Sequence, residues 1–327
     1  MRTSPKASQT PEAERRGQIP NPNFQTGAGL LLQAARGLAE AGVDAPRLTA
    51  EVLLAHVLGI TRTQLLSRPE RQLSAETLAP FQSLVSRAAQ GEPLAYLTGR
   101  REFYGLDFLV DSRVLVPRPE TELLVDFALT LHAPRSTLHI LDIGAGSGCI
   151  AITLALKLPA ARVTAIDISP EALALARLNA ERHGVSNRVT FIQSDLLSNL
   201  QFSNLQSPVS NLQSLISNLQ SPITNYQLLI ANLPYIPSDE LPRLPVARHE
   251  PALALDGGPD GLALIRRLLA DAPRLMASRG RLLLEIGAAQ GEAAAALARA
   301  AFPSAQIEIH QDLAGHDRRL DIFLTDY

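Results

Sequence analysis

Cysteine is almost absent from this chain, since Cys149 is the single one among 327 residues. One thiol cannot form an internal disulfide or a cysteine-rich zinc or iron–sulfur site, and chains without disulfides are typical of reducing compartments. The sequence also lacks any run of eighteen apolar residues that could span a membrane. We therefore expect a cytoplasmic protein that has no membrane association and no bound metal.

An excess of charge of either sign is lacking as well. The sequence has 30 Lys and Arg residues against 32 Asp and Glu residues, for a net charge of −2. Such a chain has no overall field that would attract phosphate groups, so we expect no direct nucleic-acid binding. With 46% apolar residues, the chain is long enough for two modest domains with buried cores.

Large apolar side chains are scarce in residues 1–27, where Ser, Pro, Gln, Asn and charged residues dominate. Such a segment cannot offset the entropy that ordering would remove, so we expect a disordered tail. It also lacks the apolar stretch of a secretory signal. From Leu30 onwards, apolar residues recur with helical spacing in runs that glycine and proline interrupt. This pattern predicts a small helical bundle over residues 28–92.

Residues 93–118 connect the bundle to the rest of the chain. Aromatic and aliphatic residues between Arg101 and Val110 flank Gly105-Leu106, a pair suited to a two-residue type II′ turn. The pattern predicts a β-hairpin linker.

Short β-rich runs alternate with amphipathic helical runs from residue 119 to residue 327. This alternation is typical of an α/β domain with a doubly wound, mostly parallel sheet. The last two β-rich runs have no helix between them, so we expect them to close the sheet as an antiparallel pair. The seven predicted strands are Leu138–Ile143, Arg162–Asp167, Val189–Ser194, Tyr226–Ala231, Arg281–Ile286, Gln306–His310 and Asp321–Thr325.

Charged residues and histidine are missing between Leu196 and Ser238, and Asn-Leu-Gln recurs there at Asn204, Asn211 and Asn218. The apolar spacing resembles a coiled-coil seam, but prolines and poor helix formers oppose a helix. We interpret the segment from about 197 to 225 as a low-complexity loop inserted between two strands.

A glycine-rich loop, Gly144-Ala145-Gly146-Ser147-Gly148, follows the first predicted strand. Glycine lets the backbone approach a ligand closely, and the free N–H groups of a helix start can face a polar group. The spacing is Gly-x-Gly-x-Gly, which differs from the Gly-x-Gly-x-x-Gly of dinucleotide-binding proteins. Asp167 ends the second strand, where a carboxylate accepts hydrogen bonds from a ribose diol. Together these features predict an adenosine-containing ligand, with Cys149 as a small packed residue.

The fourth strand ends in Asn232-Leu233-Pro234-Tyr235, at the sheet edge where the glycine loop also lies. An amide or exocyclic amine is a weak nucleophile because its lone pair is delocalised. If the Asn232 side-chain oxygen and the Leu233 carbonyl each accept one N–H, the lone pair is aimed at an activated methyl group. Pro234 would stiffen the turn, and Tyr235 would offer a flat surface. We predict methylation of a planar nitrogen, with Asn232, Pro234 and Tyr235 as catalytic residues.

With these motifs the chain resembles the protein-(glutamine-N5) methyltransferases that modify peptide chain release factors. The resemblance covers about Leu30 to Tyr327. Two of its further motifs lie outside the generic methyltransferase core and are the most specific, Gly91-Glu-Pro-Leu-Ala-Tyr96 and Val114-Leu-Val-Pro-Arg-Pro-Glu-Thr-Glu122. The others are Ser194-Asp195, Glu250-Pro251, Asp256-Gly-Gly-Pro-Asp-Gly-Leu262 and Leu284-Glu-Ile-Gly287.

The resemblance implies a seven-stranded, Rossmann-like class I methyltransferase domain that uses S-adenosylmethionine. It implies that Gly144 to Gly148 hold this cofactor, that Asp167 binds its ribose, and that Asp195 and Leu196 contact its adenine. Asn232 to Tyr235 would bind the glutamine of a release-factor Gly-Gly-Gln motif, with Asn232 also next to the cofactor. The helical bundle would recognise the substrate.

Three classes of protein fit these motifs: a protein-glutamine methyltransferase, a nucleic-acid adenine methyltransferase and a non-catalytic adenosyl-binding module. Leu233 stands where the family usually has a second proline and resembles the adenine dimethylases of ribosomal RNA, although the required backbone carbonyl remains. A nucleic-acid enzyme typically adds a basic face, whereas the extra bundle here has mixed charge. A binding module would not need Asn232 and Tyr235. We favour the first class, acting as a monomer on a release factor.

Overall fold

The computed structural model describes residues 25–130, 138–200 and 225–325. The predicted tail lies outside these ranges except at its last three positions, and residues 201–224 of the predicted insertion also lie outside them. The chain divides into two compact units, Met1–Thr98 and Gly99–Tyr327. Within the described ranges, no helix has both the length and the apolar character needed to cross a membrane.

The first unit is helical and packs around its own core, in which Leu38, Leu53, Leu54 and Phe81 are fully buried. Local signals set its helix ends, because Gly59 ends the second helix with a φ of 63° and Thr61 caps the third through the Gln64 N–H. The described elements are α1 (Gly27–Glu40), α2 (Pro46–Leu58), α3 (Arg62–Leu66), α4 (Ala75–Ala89), α5 (Leu94–Thr98) and the antiparallel pair β1 (Gln25–Thr26) and β2 (Gln72–Leu73).

The second unit opens with a hairpin whose turn differs from the predicted one. Its strands are β3 (Arg100–Phe103) and β4 (Leu106–Leu109). The central turn residues are Tyr104 and Gly105, with φ of 55° and 75°. Positive φ at both positions is type I′ geometry, so the type II′ turn at Gly105-Leu106 was wrong. The Tyr104 conformation is supported by its hydroxyl, which donates to Asp126 at 2.7 Å.

A seven-stranded sheet forms the centre of the second unit, as predicted. Its strands are β5 (His139–Ile143), β6 (Arg162–Asp167), β7 (Val189–Gln193), β8 (Tyr226–Ala231), β9 (Met276–Glu285), β10 (Ala305–Gln311) and β11 (Asp317–Leu324). The spatial order is β7-β6-β5-β8-β9-β11-β10. The first five strands in this order run parallel, and β11 is antiparallel to both of its neighbours. This confirms the predicted antiparallel closure.

Helices cover both faces of the sheet, which confirms the doubly wound α/β architecture. They are α6 (Glu122–Thr130), α7 (Cys149–Lys157), α8 (Pro170–Arg182), α9 (Ala263–Asp271) and α10 (Gly291–Ala301). Successive strand residues point to opposite faces. Leu228 and Ile230 of β8 accordingly pack in the core under α6, α7 and α8, whereas Leu229 and Ala231 pack in the core under α9 and α10. The carboxyl ends of the parallel strands are left open to form a site.

Candidate active site

A cavity of about 560 Å³ lies at the carboxyl ends of β5, β6, β7 and β8. Cavities of this size and position are typical of cofactor sites in α/β sheets. Ten of the predicted site residues line it: Gly144, Ala145, Gly146, Ser147, Asp167, Asp195, Leu196, Asn232, Leu233 and Pro234. Gly148 and Tyr235 are not among its lining residues. The structure therefore brings together loops from four strands, as the motifs predict.

The glycine loop has two kinds of glycine. Gly144, Gly146 and Gly148 have φ of 78°, 53° and 82°, a region that side chains disfavour. Gly144 and Gly146 border the cavity. A Cβ on Gly148 would lie 2.9 Å from the Ile152 side chain and 3.2 Å from that of Ala176. Gly148 thus allows close packing at the start of α7, while the other two allow a ligand to approach the backbone.

Asp167 fixes the conformation of this loop. One carboxylate oxygen accepts the Gly146 N–H at 2.8 Å, and the other accepts the Ser169 N–H at 2.9 Å. Burial raises the pKa of Asp167, and these backbone hydrogen bonds oppose the shift. Each carboxylate oxygen can accept a second hydrogen bond, so the side chain can bind a ribose hydroxyl while it holds the loop.

We expect Asp167→Ala to weaken S-adenosylmethionine binding by about 1.5–3 kcal/mol, since it removes a charged hydrogen-bond acceptor and frees the Gly146 N–H. Asp167→Asn keeps an acceptor for one backbone donor and should lose less affinity. Titration calorimetry measures both variants, and thermal unfolding shows whether each is folded. Affinity in Asp167→Ala equal to that of the parent chain would mean that the ribose is held elsewhere.

Asp142 lies beneath the loop and is fully buried in β5. One of its oxygens accepts the Ala151 N–H at 3.1 Å in the first turn of α7, and the other has no partner among the described residues. The pKa of Asp142 is raised to about 7, mainly by burial and also by the nearby Asp167, although the Ala151 hydrogen bond acts in the opposite direction. The folded state therefore favours the neutral carboxyl.

Asp142→Asn is expected to raise the free energy of unfolding at pH 8 by about 1–3 kcal/mol. A raised carboxyl pKa contributes stability that is fully present below its unfolded value of 3.8 and is lost as the pH rises through about 7. Asparagine stays neutral and can still accept the Ala151 N–H. Denaturant unfolding at pH 8 and pH 5 tests the sign: the gain should shrink at the lower pH, and a gain that grows there would contradict the argument.

Cys149 follows the loop at the start of α7 and is buried. Burial raises the pKa of its thiol to about 12. A neutral thiol is a poor nucleophile at physiological pH, which agrees with the predicted packing role.

Asn232 is held by a chain of hydrogen bonds from two other segments. Its Nδ2 donates to Thr121 Oγ1 at 2.9 Å, and the Thr121 hydroxyl donates to Glu285 Oε2 at 2.8 Å. Thr121 and Glu285 are 2% and 4% exposed. Because the Asn232 nitrogen is engaged on this side, its side-chain oxygen is the group available to accept an N–H from a ligand.

Tyr235 is directed towards the protein interior. Its hydroxyl donates to Glu285 Oε1 at 3.4 Å, and its carbonyl accepts a hydrogen bond from Gln290 Nε2 at 2.9 Å. Burial raises the pKa of Tyr235 to about 12, with a further contribution from Glu285. A flat contact between Tyr235 and a substrate therefore stays a prediction. Leu233, in contrast, is buried and its side chain lies against Gly144.

The glycine-rich segment Asp256–Leu262 supports the Asn232–Tyr235 loop from behind. The Gly257 N–H donates to the Ile236 carbonyl at 2.8 Å. A Cβ on Gly257 would lie 2.7 Å from Tyr235 Cα, and one on Gly261 would overlap the Tyr235 carbonyl oxygen. These glycines are needed because the two backbones touch.

The loop after β7 places Asp195 and Leu196 in the cavity wall. Leu196 has a φ of 48°, which is strained for a residue with a side chain, and its carbonyl accepts the Ser194 hydroxyl at 2.6 Å. Arg267, which also lines the cavity, donates to Asp195 at 2.8 Å. The predicted adenine contacts thus lie together, and Arg267 accompanies them.

Sequence reasoning missed Thr121, Glu285 and Arg118 as site residues. Arg118 lines the cavity and donates to Glu250 at 2.6 Å, and the same carboxylate accepts the Val116 N–H at 3.0 Å. Glu250 therefore fixes the Arg118 side chain against the backbone at Val116. The only signal in the sequence was that Thr121 and Glu285 lie in motifs that the chain shares with the family it resembles. Those motifs do not indicate which residues Thr121 and Glu285 bond to.

Comparisons with known proteins agree with this geometry. A model of the PrmC N-terminal domain matches residues 29–99, and a methyltransferase-domain model matches residues 134–231. Release factor glutamine methyltransferase of Moorella thermoacetica is 44% identical, over 88% of this chain and 95% of the relative. Proteins of the same name from Chlorobaculum tepidum and Geobacter sulfurreducens are 41% and 42% identical, over 86% and 80% of this chain and 92% and 84% of their own lengths. The chain belongs to the release factor glutamine methyltransferase family.

Membership in the release factor glutamine methyltransferase family identifies S-adenosylmethionine as the methyl donor and the fold of the second unit as that of a class I methyltransferase. The residues present fit this cofactor. The glycines allow the methionine portion of the cofactor to approach the protein backbone closely, and the carboxylates can accept hydrogen bonds from its hydroxyl and amino groups. Ile168 and Leu196 provide apolar walls. Carboxylates also favour its positive sulfonium.

Proposed function

We propose that this enzyme transfers the methyl group of S-adenosylmethionine to the side-chain amide nitrogen, N5, of the glutamine in the Gly-Gly-Gln motif of peptide chain release factors. The observation that carries this proposal is the fixed orientation of Asn232 in the cavity wall beside the glycine loop. The names of the relatives, which cover most of the chain, support the same substrate.

Gly144, Ala145, Gly146 and Ser147 would hold the methionine part of the cofactor. Asp167 would bind the ribose, and Asp195 and Leu196 would contact the adenine. Gly148 would support cofactor binding indirectly, by allowing α7 to pack closely, because the position of an added Cβ on Gly148 faces Ile152 and Ala176.

S-adenosylmethionine supplies an electrophilic methyl group on a sulfonium. The Asn232 side-chain oxygen and the Leu233 carbonyl would each accept one N–H of the glutamine amide, which turns its lone pair towards that methyl group. Positive charge that develops on the nitrogen strengthens both hydrogen bonds. Pro234 would restrict the turn that places these two acceptors. The alkylated nitrogen is acidic enough to lose a proton without a strong base.

We also propose the roles of the remaining parts. Residues 28–92 would recognise the release factor, residues 93–118 would link them to catalysis, and residues 119–327 would carry the reaction. The enzyme would act as a monomer, and its net charge of −2 supports the absence of direct nucleic-acid contact. The single cysteine supports a cytoplasmic location, where release factors act.

Mass spectrometry of a release factor after incubation with enzyme and isotopically labelled cofactor tests the proposal. One labelled methyl group on the glutamine of the Gly-Gly-Gln loop is the expected product. Ribosomal RNA and duplex DNA serve as competing acceptors in the same reaction. Label on adenine in place of glutamine would overturn the substrate assignment.

A further inference from the structure

A buried polar pair, Thr121 and Glu285, lies behind Asn232, and neither residue takes a direct part in the methyl transfer described above. Thr121 ends the short 3-10 turn Pro119–Thr121, and Glu285 ends β9. Both side chains are at most 4% exposed. A carboxyl group in such surroundings destabilises the fold unless hydrogen bonds satisfy it. Its position directly behind a cavity residue indicates a role beyond packing.

The hydroxyl proton of Thr121 decides how Asn232 is oriented. An ionised Glu285 can only accept, so the hydroxyl donates to Oε2 at 2.8 Å. The Thr121 oxygen is then an acceptor on its other side, where Asn232 Nδ2 donates at 2.9 Å. A carboxamide has its nitrogen on one side and its oxygen on the other. The Asn232 oxygen is therefore turned away from Thr121.

We propose that Glu285 and Thr121 are positioning residues, which orient the Asn232 carboxamide so that its oxygen, and not its NH₂ group, meets the N–H of the substrate amide. This inference rests on the proposed function, because it requires a substrate N–H at Asn232. It assigns a shared purpose to three motifs that are far apart in the sequence.

Protonation of Glu285 would remove this control. A neutral carboxyl donates its O–H to the Thr121 oxygen, and the Thr121 hydroxyl is then free to donate to the Asn232 oxygen. The carboxamide would turn over and present its NH₂ group to the substrate NH₂ group. Two donors facing each other repel, so the substrate nitrogen would lose its alignment.

The charge of Glu285 changes close to neutral pH. Burial raises the pKa of Glu285 to about 7, while the Thr121 hydrogen bond lowers it. The other groups around it are Glu120, Arg318, Tyr235 and Cys149, of which Glu120 raises its pKa and Arg318 and Tyr235 lower it. Glu285 is mainly ionised above this pH and mainly neutral below it. Methyl transfer is accordingly expected to increase as the pH rises through about 7.

Thr121 variants test the hydroxyl directly in single-turnover methyl transfer to saturating release factor. Thr121→Val keeps the shape but removes the hydroxyl, and its rate constant should fall about 30–100-fold, close to the loss of one preorganised contact. Thr121→Ser keeps the hydroxyl and should stay within about threefold. Thr153→Val is the matched control, because Thr153 is fully buried and its hydroxyl has no partner among the described residues. Its rate should not change.

Glu285→Gln tests the charge through the pH profile. The rate of the variant should not change with pH between about 6 and 9, because a carboxamide does not titrate, so the rise through neutral pH that the parent enzyme shows should be absent. Asp321→Asn removes another buried carboxyl whose pKa burial raises, but this carboxyl forms an ion pair with Arg281. Asp321 is not among the residues that line the cavity, so this control should keep the parent profile.

Cofactor affinity, measured by calorimetry, should be unchanged in Thr121→Val and Glu285→Gln, because the proposal concerns the substrate nitrogen. A parent-like rate in Thr121→Val, or a parent rate that does not depend on pH in this range, would overturn it. If Thr121→Val does not fold, the profile of Glu285→Gln still decides. Failure of the proposed function would look different, because the parent enzyme itself would not methylate the release factor.

Discussion

Asn232→Ala is expected to lower the single-turnover rate constant for methyl transfer by about 10²–10³-fold, the usual loss for one preorganised electrostatic contact. The variant keeps the glycine loop and the cavity but loses the oxygen that would align the substrate nitrogen. That contact strengthens as charge develops on the nitrogen, so the loss falls on the rate more than on binding. Cofactor affinity and the thermal unfolding temperature should stay close to those of the parent enzyme.

Two further variants make this test specific. Asn232→Asp keeps an acceptor but adds negative charge near the sulfonium, and we expect it to retain part of the activity. Asn187→Ala is the control, because Asn187 is exposed and lies outside the cavity lining. An Asn232→Ala enzyme as fast as the control would show that another group aligns the nitrogen.

Gly261→Ala is expected to reduce methyl transfer at least about 100-fold and to destabilise the fold by about 2–4 kcal/mol. Gly261 has a φ of 71°, and an added Cβ would overlap the Tyr235 carbonyl oxygen and the Gln290 side chain. The Asn232–Tyr235 loop must shift to make room. A shift of about 1 Å at the substrate acceptors is enough to disturb their alignment.

Gly184→Ala separates backbone strain from this crowding. Gly184 has a φ of 68°, close to that of Gly261, but no atom lies within 4 Å of the position of an added Cβ. It should lose about 1 kcal/mol of stability and keep its activity, because only the conformational strain is shared. Rate and denaturant unfolding are measured for both variants. Equal activities would show that the Tyr235 contact does not hold the loop.

The sheet was largely predictable from the sequence because burial on both faces produces continuous apolar runs with clear ends. Arg162–Asp167 and Tyr226–Ala231 have the predicted bounds. The strand predicted at Arg281 begins five residues earlier, at Met276. Met276 joins the strand by pairing with Tyr226 of β8, and the register shifts before Arg281, where Arg279 has a φ of 60°. Local periodicity reports neither the distant pairing nor this irregularity.

The prediction of the hairpin turn type was wrong for a different reason. Glycine at position 105 is compatible with several two-residue turns, and the sequence favoured the one that begins with it. The structure places Tyr104 at positive φ as well, and its hydroxyl bonds to Asp126. A contact across 22 residues thus selected a conformation that the local sequence disfavours.

The candidate site likewise has parts that local sequence predicts and parts that depend on distant contacts. The glycine loop, Asp167 and the Asn232 loop were predictable because each motif follows a strand at the same edge of the sheet. Thr121 and Glu285 were not, since their roles depend on hydrogen bonds across 164 residues that neither motif contains. Tyr235 shows the converse, because its chemistry suggested a substrate contact while its hydroxyl bonds to the protein interior.

Because Glu285 is buried, its ionisation has opposite effects on catalytic activity and on the stability of the fold. Its raised pKa means that this carboxyl stabilises the fold most below its unfolded value of 4.5, and that this contribution is lost as the pH rises through about 7. The ionised form that orients Asn232 is therefore the form that weakens the fold. Selection for a more heat-resistant enzyme would find a neutral residue at position 285 favourable, and selection for turnover would reject it. The residue at position 285 would then indicate whether selection for heat resistance or selection for turnover has been stronger in a given lineage.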